Sequence, residues 1–290
     1  MTQIHIEPFA GALGAEVSGI DLRAELSDDL IAEIRDALLT HHVVFFRDQS
    51  LDPSSQVDFG KRFGVLEDYP LVAPLPDHPK VIPVIKEPDD VSNFGGGWHT
   101  DLIYRPEPPL GTMLYAIEVP SRGGDTLFAD GVLAYRALSP RMQAMLSTLS
   151  VEYNVRHVSR AVAHRSGSAE SSNRPRAGNR SMPSRSDEDV LNTSPVHPLV
   201  RTHPESGEQC LYFSREHTIN FEGMTPRESE PLLDWLQAHM TQPVFTTRFH
   251  WAPGSMAFWD NRCVSHYALN DYPGERRHMH RLTIAGDTPR

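Results

Sequence analysis

Phe94-Gly95-Gly96-Gly97-Trp98-His99-Thr100-Asp101 sets an imidazole and a carboxylate two residues apart, just after three glycines. On a β-strand, residues i and i+2 point to the same face. His99 and Asp101 could therefore grip one metal ion from one side, and the decisive question is which part of the chain brings a further ligand. A glycine triplet by itself reads as a simple turn. Placed directly before His99, it also lets the backbone approach something closely.

Bulk composition narrows the chemistry. The chain has 290 residues, 39% of them hydrophobic, with a formal net charge of −11. The length allows one large domain or two small ones; a single domain spanning 1–290 is expected. No run of about 18 apolar residues marks a membrane helix, and the first residues lack a signal-peptide pattern, so a cytoplasmic location is expected. Lysine occurs only at Lys61, Lys80 and Lys86. No basic patch suggests a nucleic-acid partner. Cys210 and Cys263 are the only cysteines, too few for a disulfide scaffold or a cysteine-rich zinc site. A metal would have to be held by carboxylates and some of the 15 histidines.

Along the chain, the first ~65 residues read as β-β-α-β-α, a cap by their content. Ser27 is the expected N-cap of a helix carrying Leu30, Ile31, Ile34, Leu38 and Leu39 at helical spacing. His41 to Phe46 reads as a buried strand, and a second helix starts near Pro53. Residues 65–97 form a long loop with one strand, Val81–Ile85. Leu110–Val119 and Thr126–Ala129 make a hairpin across Gly123-Gly124. Short helices follow, the second capped by Ser139 with Pro140 at its first position. Residues 165–189 are rich in serine, arginine and asparagine and cannot bury themselves. A flexible insertion or lid over about 158–193 is expected. His197–His203 and Gln209–Phe213 read as a second hairpin. Thr225-Pro226-Arg227-Glu228 is a capping box. Strands are expected at Val244–Trp251, Ser255–Trp259 and Arg276–Ala285. The whole is mainly β with peripheral helices, a sandwich or jelly roll.

The C-terminal end supplies the missing chemistry. His266 lies 165 residues beyond Asp101, a separation a jelly roll can close. Two imidazoles and one carboxylate with open positions form the facial triad of non-haem Fe(II) oxygenases. Arg277 follows His266 by 11 residues. Arg277, Met279 and Arg281 alternate on one strand, so both guanidiniums face one side. Two inward arginines are costly unless anions neutralise them, and an arginine fork suits a carboxylate.

These motifs, with Gly123-Gly124-Asp125-Thr126 and Trp259-Asp260-Asn261-Arg262, make the sequence resemble the taurine/2,4-D dioxygenase family of Fe(II)- and 2-oxoglutarate-dependent enzymes. The likeness runs from Gly11 to Asp287. It implies a double-stranded β-helix core. It also implies His99, Asp101 and His266 as iron ligands, and Thr126 with Arg277 on the distal carboxylate of 2-oxoglutarate. Arg281 matches an arginine placed near the substrate's anionic group. O2 is the second cosubstrate, succinate and CO2 are products, and a homo-oligomer, dimer or tetramer, is implied. A carboxylate at Asp101 favours hydroxylation over halogenation. Taurine-using members carry His, Tyr and Asn where this chain has Tyr69, Val72 and Gly95. Those substrate-side positions therefore imply a roomier, less polar pocket for a phenoxyalkanoate, alkyl sulfate, sulfonate or related carboxylate. The competing readings are a zinc hydrolase on the same ligands and a jelly-roll binding module without catalysis.

Overall fold

The structure, a computed structural model, describes residues 4–156 and 187–290. Its first half contains β1 (His5–Pro8), β2 (Ala15–Ser18), α1 (Asp28–His41), β3 (Val43–Phe46), α2 (Pro53–Lys61), β4 (Ile82–Lys86), β5 (Gly111–Glu118), β6 (Thr126–Asp130), α3 (Gly131–Arg136), α4 (Pro140–Leu146) and β7 (Ser150–Tyr153). Its second half contains α5 (Glu188–Asn192), β8 (Val196–Pro198), β9 (Val200–Thr202), β10 (Gln209–Leu211), β11 (Thr218–Phe221), α6 (Pro226–Met240), β12 (Thr246–Phe249), β13 (Met256–Asp260), β14 (Val264–Ala268) and β15 (Arg277–Ile284). Most of the expected insertion at 158–193 falls outside the described residues. Of its end, α5 is helical.

The main sheet has seven strands in the order β1-β2-β3-β13-β5-β15-β4, and a three-stranded sheet runs β12-β6-β14. Register explains how one sheet serves two interiors. Arg281 stands opposite Leu114, and Met279 opposite Ala116. Leu114 in turn pairs with Ala257, and Ala257 with Phe45. That face packs on the smaller sheet, where Phe45 stacks on Phe249 at 4.0 Å and meets Phe128 edge-on. The alternate residues, among them Phe46, Met113, Tyr115, Phe258 and Leu282, bury against Ile31, Ile34 and Phe59 of the helices. Period-2 alternation on β3, β13, β5 and β15 thus gives one face to the sheet-on-sheet interior and the other to the helices.

Local expectations hold where side-chain chemistry is explicit. Ser27 Oγ accepts from the Leu30 N–H at 3.3 Å. Thr225 and Glu228 close the capping box of α6. Other readings need correction. The N-terminal strands are part of the main sheet, since β3 pairs with β13 along four residues; they are not a separate cap. Residues 243–245 form a 3-10 turn before β12, because Pro243 lacks the N–H a strand ladder needs. His197 belongs to β8, which pairs with β7, so the second hairpin is confined to Val200–Thr202 and Gln209–Leu211. β7, β11 and β14 were invisible in the sequence: four- and five-residue runs carry too little alternation to distinguish strand from loop.

Candidate active site

His99 is held in place by a reciprocal pair of backbone bonds. His99 N–H donates to the His266 carbonyl at 3.0 Å, and His266 N–H to the His99 carbonyl at 2.8 Å. This isolated bridge joins the glycine-rich segment to β14. The expected strand stops there: Asp101 opens a turn over residues 101–104, and Leu102 has a positive φ of 49°. The two ligand candidates therefore converge through a bridge and a turn, not through strand parity. Asn261 fixes the turn. Its Oδ1 accepts from the Asp101 N–H at 2.8 Å, and its Nδ2 donates to the Asp101 and Pro109 carbonyls.

Three donor atoms meet inside this frame. His99 Nε2 lies 3.6 Å from Asp101 Oδ1, and His266 Nε2 lies 3.7 Å from the same oxygen. Bonds of about 2.1 Å at right angles put neighbouring ligand atoms about 3 Å apart, so a metal ion needs only a slight contraction of the trio. The protonation pattern also fits a cation. His99 Nδ1 donates to the Gly97 carbonyl at 2.8 Å, so in the neutral ring Nε2 carries the lone pair that a metal would take. Two acceptors so close call for a positive charge between them. Asp101 Oδ2 is occupied separately, by the Thr112 hydroxyl at 2.8 Å and Arg281 Nη2 at 2.9 Å. Oδ1 alone is offered to the metal.

The electrostatics follow from this packing. Burial opposes charge on Asp101, but Arg281 and the two imidazoles outweigh it and hold its pKa far below the carboxylate range. Burial would also lower the His99 pKa, yet Asp101 raises it. Burial, then repulsion from His99, drives His266 well below its ordinary value and keeps its ring neutral. Its ring packs between Trp259, at 4.6 Å between centroids, and His99, at 4.1 Å, tilted by 50° and 48° to them.

A cleft opens beside the triad. Thr126, Arg277 and Arg281 line it with both histidines and Gly95; Val84, Phe94, Leu114 and Ala268 supply apolar wall. Arg277 and Arg281 are 4% and 3% exposed, on one face of β15, as their alternation requires. Thr126 Oγ1 accepts from Trp251 Nε1 at 3.0 Å, which points its hydroxyl hydrogen elsewhere. Arg277 Nε and Nη2 are buried without a hydrogen-bond partner among the described residues. Gly95 has φ +74°, and a Cβ there would stand 3.0 Å from His99 Cε1. The glycine is needed for the imidazole's room. Tyr69 and Val72 do not line the cleft. Tyr69 lies beneath the Arg281 guanidinium, 4.8 Å from ring centroid to carbon, and Val72 is core.

A second grouping, His203, Asp260 and Cys263, has no capacity for a metal. His203 Nδ1 accepts from two backbone N–H groups, so Nε2 donates to Asp260. Arg262 takes both carboxylate oxygens of Asp260. Arg262 is thus a buried clamp rather than a surface group.

Thr112 and Asn261 were missed as site residues. Thr112 had one signal, a small hydroxyl side chain at the start of a mostly apolar strand. Asn261 stood in a quoted motif, but nothing in the sequence says that it reaches 160 residues back to Asp101. Asn261→Ala removes three buried hydrogen bonds from the ligand turn. We expect Fe(II) affinity to fall about 10–100-fold and stability by about 1–3 kcal/mol. Metal titration and thermal melts check this; unchanged affinity would mean that the turn holds itself.

The comparisons with known proteins agree with this geometry. The family model for the taurine catabolism dioxygenase TauD, TfdA family matches residues 5–283. An alpha-ketoglutarate-dependent sulfate ester dioxygenase of Pseudomonas putida is 30% identical over 299 residues, covering 99% of this chain and 91% of that protein. The (S)-phenoxypropionate/alpha-ketoglutarate-dioxygenase of Sphingobium herbicidovorans is 34% identical over 286 residues, covering 97% and 95%. The crystal structure of a taurine dioxygenase from Burkholderia xenovorans superposes with a TM-score of 0.79 at 34% identity, covering 99% of this chain and 90% of that one. The zinc-hydrolase and binding-module readings are set aside by these matches: the chain belongs to the TauD/TfdA family and is an alpha-ketoglutarate-dependent dioxygenase using Fe(II), 2-oxoglutarate and O2.

Proposed function

We propose that the enzyme hydroxylates a small organic acid with an apolar body, of the phenoxyalkanoate, alkyl sulfate or sulfonate kind, converting one 2-oxoglutarate and one O2 to succinate, CO2 and hydroxylated product. The core carrying this activity is then a double-stranded β-helix, the β12-β6-β14 sheet closing on the main one. The observation that supports the reading best is a cleft beside the His-Asp-His trio, lined by both imidazoles and by two buried arginines.

In this reading His99, Asp101 and His266 hold iron from one side, and Thr112 with Asn261 fixes the carboxylate's rotation and the turn beneath it. Iron so held supplies, with 2-oxoglutarate and O2, the oxidation that replaces a substrate C–H by C–OH. Arg277 and Thr126 bind the distal carboxylate of 2-oxoglutarate. Arg277 has the free donors for this, and a guanidinium fork matches a carboxylate edge. Arg281 spends Nη2 on Asp101, while its Nε is buried without a partner among the described residues. It can therefore brace the metal ligand and meet the substrate's anion at once. Phe94, Leu114 and Ala268 exclude water around the apolar body. The sulfate ester and phenoxypropionate relatives act on acids of this shape, which supports an oxygen-linked carbon as the target. Hydroxylation there gives a carbon bearing both OH and OR, whose old C–O bond then breaks to leave a carbonyl compound and the phenol or hydrogen sulfate.

The test begins with protein, Fe(II) and 2-oxoglutarate without O2. A panel of phenoxyalkanoates, alkyl sulfates and sulfonates is then screened for shifts in the metal absorption band. Acids that shift it should, on admitting O2, give one succinate per product. Absence of both shift and coupled O2 uptake across the panel would refute this substrate class.

A further inference from the structure

Lys86 is one of three lysines in the chain, and it is 3% exposed. It ends β4 directly opposite Arg277 on β15, in an unbroken antiparallel register that also pairs Val84 with Met279 and Ile82 with Arg281. Directly opposed residues point to the same face. For Lys86 and Arg277, that is the face from which Val84, Arg277 and Arg281 line the cleft; Lys86 itself is not among the lining side chains but stands directly beside Arg277. Two like charges opposite each other repel, and each has left water at a cost that only an anion offsets.

Among the described residues, no carboxylate forms an ion pair with either cation. Lys86 Nζ, like Arg277 Nε and Nη2, is buried without a hydrogen-bond partner among the described residues. The acids nearby in the fold are engaged by other cations. Glu87 and Glu118 pair with Arg276, and Asp125 with Arg248 and His250. Lys86 instead rests its ammonium on the Tyr272 ring, 4.6 Å from the centroid. Tyr272 in turn lies close enough to Arg277 to feel its charge. The ring is a holding place for a cation that lacks a counter-charge.

We propose that Lys86 is a second cation of the cosubstrate site, sharing the distal carboxylate of 2-oxoglutarate with Arg277. The proposal rests on the function given above and adds a residue to its cosubstrate pocket. Arg277 takes one edge of the carboxylate with its planar fork, and the remaining lone pairs point to a compact charge on a flexible stem. Lys86 then discriminates: it strengthens cosubstrates with a distal carboxylate and does nothing for 2-oxo acids that lack one.

The experiment is anaerobic titration of the full-length Fe(II) protein, followed by the metal-to-ligand charge-transfer band. 2-Oxoglutarate is compared with 2-oxopentanoate, which has the same chelating end and no distal carboxylate. Lys86→Met should raise the Kd for 2-oxoglutarate about 10–100-fold and leave that for 2-oxopentanoate unchanged. Lys86→Arg should restore most of the affinity. Lys86→Gln serves as a second neutral variant, and ligand-free melts confirm that each protein is folded. An unchanged Kd for 2-oxoglutarate overturns the proposal. So does an equal loss for both ligands, the mark of a structural lysine. If wild-type protein forms no band with 2-oxoglutarate, the parent reading fails and this one falls with it, a result distinct from a wild-type band that Lys86→Met leaves intact.

Discussion

Asp101→Ala lowers Fe(II) affinity by at least about 100-fold and abolishes substrate-coupled formation of succinate. Partners that merely orient a metal ligand are worth about 10–100-fold in affinity, and Asp101 is the trio's one anion, its Oδ1 facing both imidazoles. The same substitution does a second kind of damage. Arg281 Nη2 sits 2.9 Å from Asp101 Oδ2, with both side chains buried. Removing one partner of a buried pair costs about 3–5 kcal/mol, because the survivor keeps its desolvated charge. The variant should therefore melt lower even without metal. Two companions separate the effects. Asp101→Asn keeps an acceptor for Arg281 and Thr112, so most stability returns while metal affinity stays low. Asp101→Ala with Arg281→Met removes both charges and should recover stability without recovering iron. Undiminished turnover in Asp101→Ala would exclude the residue from the site.

The pH dependence of that pair follows from its depressed carboxyl. Because Asp101 titrates far below an unfolded aspartate, its contribution to stability is present above the unfolded value of about 4 and is lost as pH falls further. Above that value the ligand stays ionised, so acid inactivation near neutrality belongs to other groups.

What the sequence revealed and what it hid divide along one line. Arg277 and Arg281 were legible because strand alternation is a local rule, and five residues suffice to place both on one face. Ser27 and Thr225 were legible because a cap is made within three residues. His266 was legible as a ligand only through the motifs around it, and β14, the strand that carries it, was not legible at all. The bridge that sets His99 against His266 consists of two backbone bonds, which leave no trace in side-chain identity. The same holds for the turn at Asp101, whose geometry depends on an asparagine amide arriving from the β13–β14 connection. Tyr69 and Val72 show the opposite failure. Alignment to a substrate-contacting position says nothing about depth, and in this chain both side chains are buried and neither is part of the cleft lining among the described residues. Tyr69 still reaches the site indirectly, through its contact with Arg281.

Arg277→Met should separate stability from binding in opposite directions. Without cosubstrate, the wild-type guanidinium is 4% exposed, with Nε and Nη2 unpartnered among the described residues. Burial lowers its pKa, the sign of a charge poorly paid for by its surroundings. Methionine fills similar space beside Trp251, over which the guanidinium carbon lies at 5.8 Å. Replacing a poorly compensated buried charge by an apolar chain is neutral to stabilising by about 1–4 kcal/mol. The ligand-free variant should therefore melt at or above the wild-type temperature, by up to about 16 °C at roughly 2–4 °C per kcal/mol. With cosubstrate the order reverses. Losing a bidentate, charge-assisted clamp worth about 3–4 kcal/mol raises the Kd for 2-oxoglutarate about 10²–10³-fold. Saturating 2-oxoglutarate stabilises wild type in proportion to the logarithm of its concentration over Kd, and the variant forfeits most of that gain. Metal binding is unaffected, because Arg277 touches none of the three ligands. Melting curves with and without 2-oxoglutarate, on Fe(II)-loaded protein, read all of this in one experiment. A variant less stable than wild type without ligand, yet equally stabilised by it, would show Arg277 to be a structural residue and leave the diacid to be held elsewhere.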